Sequence, residues 1–140
     1  MNNIHLKFGL VLTILLNFLV VFSNSIQPDS ILNYLNKSID QAHALSFQDS
    51  DSALLIIEKA MIIANENDFS LELAELIRVR GLIYFYRVDY AKALSLFIKS
   101  RKLSEENGNK QGVAKALSNI SLINNSQGMH SESLEMELDI

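Results

Sequence analysis

Apolar residues fall into two regimes along the chain. From Phe8 to Phe22 they form an almost unbroken run, FGLVLTILLNFLVVF, interrupted only by Thr13 and Asn17. From about residue 30 onward they recur at steps of three and four, the period of a helix with one buried face. Leu73, Leu76, Ile77, Arg80, Gly81 and Tyr84 follow that spacing, as do Ala93, Leu96, Phe97 and Ser100. Breaks fall at Arg87-Val88-Asp89, Glu106-Asn107-Gly108-Asn109 and Gln127-Gly128-Met129. Asp89 can accept backbone N–H groups as the N-cap of the next helix, while Gly108 and Gly128 suit helix C-terminal positions. Asp49 and Ser50 are candidate caps further upstream, and Pro28-Asp29-Ser30 is a start signal for the first helix. The pattern predicts six helices, over about 31–46, 50–66, 70–86, 90–107, 110–126 and 130–140.

These helices repeat. An offset of 40 residues pairs Asp49 with Asp89, Leu54 with Leu94 and Leu134, Lys59 with Lys99, Glu66 with Glu106, Asn67 with Asn107, Ala74 with Ala114, and Leu82 with Leu122. Residues of similar size recur at one common offset, which makes the unit a helical hairpin and the fold class all-α. The units run over about 34–73, 74–113 and 114–140, the last incomplete.

The middle unit carries a family pattern. Gly81, Tyr84, Ala93, Phe97 and Ser100 occupy the small and aromatic positions of a tetratricopeptide repeat, with Val88-Asp89-Tyr90 at its Gly-Asp-Tyr turn. Residues 74–107 therefore resemble that family, and the resemblance extends more weakly over about 30–140. The outer units depart from it: Gln41 and Ala44 stand for the glycine and aromatic of the first, and Asn124 and Glu137 for two aromatics of the third. The 40-residue period is similar to that of a longer variant in bacterial signalling and regulatory proteins. The resemblance implies an α-α superhelical solenoid of about three helix-turn-helix repeats. Small residues bringing antiparallel helices together, and aromatics filling the space between repeats, give this a physical basis.

The first 25 residues stand apart. A short, weakly basic start containing Lys7, the apolar run, and Ser23-Asn24-Ser25 follow the order of a secretory signal peptide, with Ser23 and Ser25 at the −3 and −1 cleavage positions. Fifteen apolar residues are fewer than the ~20 a spanning helix needs. The expectation is an exported protein, periplasmic or extracellular-facing, of residues 26–140, with an anchor at residues 6–22 as the alternative. A complete third unit would run to about residue 153, so the chain is expected to be a piece of a longer protein; otherwise Leu117, Leu122, Ile123, Leu134, Met136 and Leu138 need another cover, such as a homodimer or a partner.

Composition narrows the chemistry. With 12 basic and 16 acidic residues the net charge is −4, against the basic face a nucleic-acid binder needs. No cysteine is present, which excludes disulfides, thiolate zinc sites and iron–sulfur clusters. His5, His43 and His130 lack ligand spacing, and no glycine-rich phosphate loop or nucleophile motif occurs. The carboxylate pairs Glu66/Asp68, Glu72/Glu75 and Glu105/Glu106 are expected on solvated faces or at helix ends, where the dipole favours them. The chain is expected to be no enzyme and to need no cofactor or metal.

A binding role follows from the resemblance. In tetratricopeptide arrays the first helices line a concave face, which here implies Leu35, Ser38, Ala42 and Leu45, then Glu75, Arg78, Leu82 and Phe85, then Lys115, Ser118, Leu122 and Asn125. Arg78 and Lys115 would offer two cations, and Leu82 and Phe85 apolar contact, to a protein or peptide segment bearing a carboxylate. The expected function is a non-catalytic protein-protein interaction module. The alternative is the extracytoplasmic sensory region of a membrane-bound receptor such as a histidine kinase or transcriptional regulator.

Overall fold

The computed structural model describes residue 9, residues 11–17 and residues 28–138, with 129–138 as backbone only. The chain divides into two units, Met1–Asn33 and Tyr34–Ile140. Residues 11–17 are helical with every side chain exposed, and the ends of the apolar run lie outside the described residues. Among the described residues no helix is long and apolar enough to cross a membrane.

The described secondary structure from residue 28 onward is entirely helical: α1 Pro28–Leu45, α2 Ser50–Glu66, α3 Ser70–Tyr86, α4 Tyr90–Glu106 and α5 Lys110–Leu138. Helix starts from α2 to α5 fall every 20 residues, which divides the 40-residue sequence period into two equal halves. One local device sets this register. Each of the turns after α2, α3 and α4 has three residues, and its middle residue is left-handed: Asp68 at φ 60°, Val88 at 63° and Gly108 at 65°. The following N–H then reaches back five residues, from Phe69 to the Ala64 carbonyl (2.9 Å), Asp89 to Tyr84 (2.9 Å) and Asn109 to Ser104 (2.8 Å). This is the Schellman closure of a helix.

The next helix starts on the spot. Asp89 Oδ1 accepts from the Lys92 N–H at 3.1 Å, and Asn109 Oδ1 from the Gly112 N–H at 3.0 Å. Asp49 accepts from the Ser52 N–H at 3.1 Å, and hydrogen bonding from the Ser52 hydroxyl, then from this N–H, holds its carboxyl below its ordinary value. Phe69 begins α3 without a side-chain cap.

Small residues let the helices close. Gly81 of α3 faces Phe97 of α4 so tightly that a Cβ there would lie 2.5 Å from Phe97 Cε1. One turn along α4, the buried Ser100 hydroxyl donates to the Ala74 carbonyl at 2.8 Å. Phe97 is wholly buried among Leu82, Ala93 and Ile123, with Phe85, Tyr90 and Ile120 around them. The ends of the hairpins are also joined: Arg87 donates through Nε to Ser50 Oγ at 2.9 Å and pairs with Asp51, while Phe47 meets Tyr86 edge-on at 5.5 Å.

Two sequence expectations change. The first helix begins at Pro28, where a proline needs no N–H partner, not at 31. The fifth and sixth predicted helices are a single helix, α5, of 29 residues. Gly128 does not end it and is not left-handed. A glycine inside a helix costs only about 1 kcal/mol, and it stops a helix only when a cap takes over the chain. Forty residues beyond the capping Asp89 stands Met129, whose side chain has no acceptor suited to that task.

Two substitutions test this account by thermal and urea denaturation. Val88→Gly relieves a β-branched residue from a left-handed backbone and should stabilise the fold by about 0.5–1 kcal/mol, after subtracting glycine's larger unfolded-state entropy. Gly81→Ala should destabilise it by about 1–3 kcal/mol, because the enclosed Phe97 ring has nowhere to retreat.

Candidate functional site

Two first helices of successive hairpins, α3 and α5, bring a charged cluster together. Its hub is Glu75, in the second turn of α3. Arg78, one turn further on, grips it with two N–H groups along one edge of its guanidinium: Nε donates to Oε2 at 2.9 Å and Nη2 to Oε1 at 2.7 Å. Arg78 Nη1 then donates to Asn119 Oδ1 on α5 at 3.1 Å, and Lys115 Nζ donates to Glu75 Oε1 at 3.2 Å. Arg78 is buried, with 8% of its surface exposed.

The electrostatics follow from that geometry. Burial alone pushes the Glu75 carboxyl up, yet hydrogen bonds and charge from Arg78, then Lys115, outweigh it and hold the group below its ordinary value. The cluster therefore cross-links α3 to α5 as a charge-assisted network and is a structural element first.

Beside it lies an open depression of about 250 Å³, lined by Asn36, Ile39, Asp40, Leu71, Glu72, Glu75 and Lys115. Asp40 and Glu72 form no ion pair among the described residues. Glu75, Arg78 and Lys115 together carry one net positive charge, and these two acids outnumber it. The open part of the depression is thus acidic.

The residues named from the sequence separate accordingly. Glu75, Arg78 and Lys115 do come together, but as partners of one another, and Arg78 is engaged before any ligand arrives. Leu82 is 5% exposed and belongs to the core around Phe97, so it offers no contact surface. Leu35, Ser38 and Ala42 are buried and Leu45 is half-buried. Phe85 is half-buried, with its ring 5.6 Å from Tyr86 and 5.5 Å from Tyr90. Ser118, Leu122 and Asn125 are exposed along α5, although the Ser118 hydroxyl donates to the Ala114 carbonyl of its own helix.

Glu75 also departs from the solvated role expected of the carboxylate pairs. Asn119 and Asp40 were not anticipated. One signal was present for the cluster: Glu75 and Lys115 stand one 40-residue period apart with opposite charge, so equivalent helix positions face each other.

Among the described residues no three His, Asp or Glu side chains assemble into a metal-binding group. His43 is exposed in the last turn of α1, and the side chain of His130 lies outside the described residues. Comparison with protein-family models, with curated proteins and with solved structures finds no match to this chain.

The ion cluster predicts a pH dependence. A carboxyl that titrates lower in the folded chain stabilises the fold above its unfolded value, near ~4.3, and that contribution fades as pH falls through the folded value. Glu75→Gln leaves a buried guanidinium without its partner and should cost about 2–3 kcal/mol at neutral pH. In urea melts from pH 7 to pH 3, the gap between the two proteins should close below about pH 4. A gap that stays constant would mean that Glu75 acts through shape and not through charge.

Proposed function

We propose that the chain is a non-catalytic interaction module built as a tetratricopeptide-type solenoid, and that it binds a peptide or protein segment along the face shared by α1, α3 and α5. The repeat reading is supported by the 20-residue register of helix starts and by the small-against-large contacts at Gly81, Phe97 and Ser100. The observation that carries the binding reading is the open depression beside Glu75, with exposed Ser118, Leu122 and Asn125 further along α5.

The polarity of the ligand changes from the sequence expectation. Arg78 is engaged by Glu75 and Asn119 through three of its five N–H groups, whereas Asp40 and Glu72 remain available. A lysine or arginine of the bound segment complements those acids, with a neighbouring apolar side chain against Ile39 and Leu71. Export is part of the proposal and rests on the order of the leader: Lys7, the apolar run and the Ser23/Ser25 pair.

Selection from a displayed random-peptide library on the full chain tests the reading. Enriched peptides should contain Lys or Arg next to an apolar residue. Their affinity should fall about tenfold with Glu72→Lys, at unchanged helicity by circular dichroism. No enrichment, or enriched peptides that bind the variant equally well, would reject this face.

A further inference from the structure

A larger depression lies elsewhere, on α2, α3 and α4, and shares no lining residue with the one beside Glu75. It measures about 610 Å³ and runs between the second half of α2, the start of α3 and the second half of α4. Met61, Ile62, Leu73 and Leu103 supply its apolar lining, and Ile62 is 58% exposed. Lys99, Lys102 and Glu106 stand on the α4 wall. Lys99 has no ion pair among the described residues, and Lys102 has only a 3.9 Å contact with Glu106 of its own helix. On a chain of net charge −4, the two lysines and one glutamate leave this wall with one net positive charge beside open apolar surface.

The complement to such a groove is an acidic segment with apolar residues at helical spacing. The sequence supplies one outside the repeat hairpins. Residues 131–140 read SESLEMELDI, with Leu134 and Leu138 four apart and Glu132, Glu135, Glu137 and Asp139 among them. The other acid-rich stretch, residues 66–75, is already built into the turn and start of α3.

Geometry places that segment out of reach of its own groove. α5 has 29 residues against 17 in α4, so its last turns run about 18 Å past the N-terminal end of α4. The groove lies at the other end, where Leu103 is separated from Tyr90 by about 20 Å of helix.

We propose that the acidic end of α5 docks in the Lys99/Lys102 groove of a second copy. Leu134 and Leu138 would bury against Met61, Ile62 and Leu103, and the glutamates would meet the lysines. If the exchange is reciprocal, the result is a closed two-fold dimer; if not, it is an open chain of copies. This surface is separate from the α1/α3/α5 face and does not depend on it.

Two readouts on the full chain test it. Sedimentation equilibrium should show self-association that weakens about tenfold with Lys99→Glu/Lys102→Glu. A fluorescein-labelled peptide of residues 129–140 should bind saturably, lose affinity for that variant, and compete with self-association. Adding Glu135→Lys/Asp139→Lys to the variant should restore assembly, which neither misfolding nor association through the leader would produce. A monomer at all concentrations, self-association indifferent to the charge reversal, or a peptide that binds both proteins equally would overturn the proposal.

Discussion

Three residues in left-handed conformation, Asp68, Val88 and Gly108, set the frame within which the other contacts operate. A helix that ends on such a residue turns the chain back within three positions and fixes where the next helix starts. Because the turns are equal, helix starts fall every 20 residues, and residues 40 apart occupy equivalent places on successive hairpins. Gly81 can meet Phe97, and Ser100 can reach the Ala74 carbonyl, only because the turn at 87–89 brings α4 back along α3 in one register. A one-residue change in turn length would rotate α4 by about 100° and remove both contacts.

The same frame explains the cluster at Glu75. Two first helices one period apart present equivalent positions to each other, so Glu75 and Lys115 are neighbours by construction. Arg78 lies one turn from Glu75 on the same helix, close enough for the two-pronged contact. One carboxylate thereby serves two cations, and the surplus positive charge is shared with the neutral Asn119 amide. The arrangement ties α3 to α5 directly, across the two turns and the helix that separate them in sequence.

Much of the fold was legible because its determinants are local. The apolar spacing located α2, α3 and α4 closely, and Asp49, Asp89 and Gly108 serve as the caps and turn residue their types suggest. The site was less legible, for a physical reason. A position in a repeat identifies which helix and which turn a residue occupies, but not whether its charge is already neutralised. Position alone presents Arg78 as a free cation, yet Glu75 three residues earlier is a competing partner and pairs with it within the same helix. The repeat position places Leu82 on an open face, but the aromatic neighbours Phe85, Tyr90 and Phe97 close over that part of α3.

The fused helix α5 shows where the repeat logic gives way. A break between helices is favoured by two matched halves: a residue that tolerates the left-handed conformation, and an acceptor just after it that satisfies the first N–H groups of the next helix. The turn at 107–109 has both, in Gly108 and Asn109. The turn at 87–89 has a poor first half in Val88 but a good second half in Asp89, and the break still forms. At 127–129 the first half is the better one, Gly128, and the second is Met129. Glycine here permits a turn without requiring one, while the missing acceptor leaves the new helix's leading N–H groups best satisfied by continuing the old ladder. The turn at 67–69 sets the limit of this account, because it forms on left-handed Asp68 with no side-chain cap at Phe69; an acceptor after the turn favours a break without being required for one, and at 127–129, where it is missing, α5 runs on through Gly128 as a single helix to Leu138.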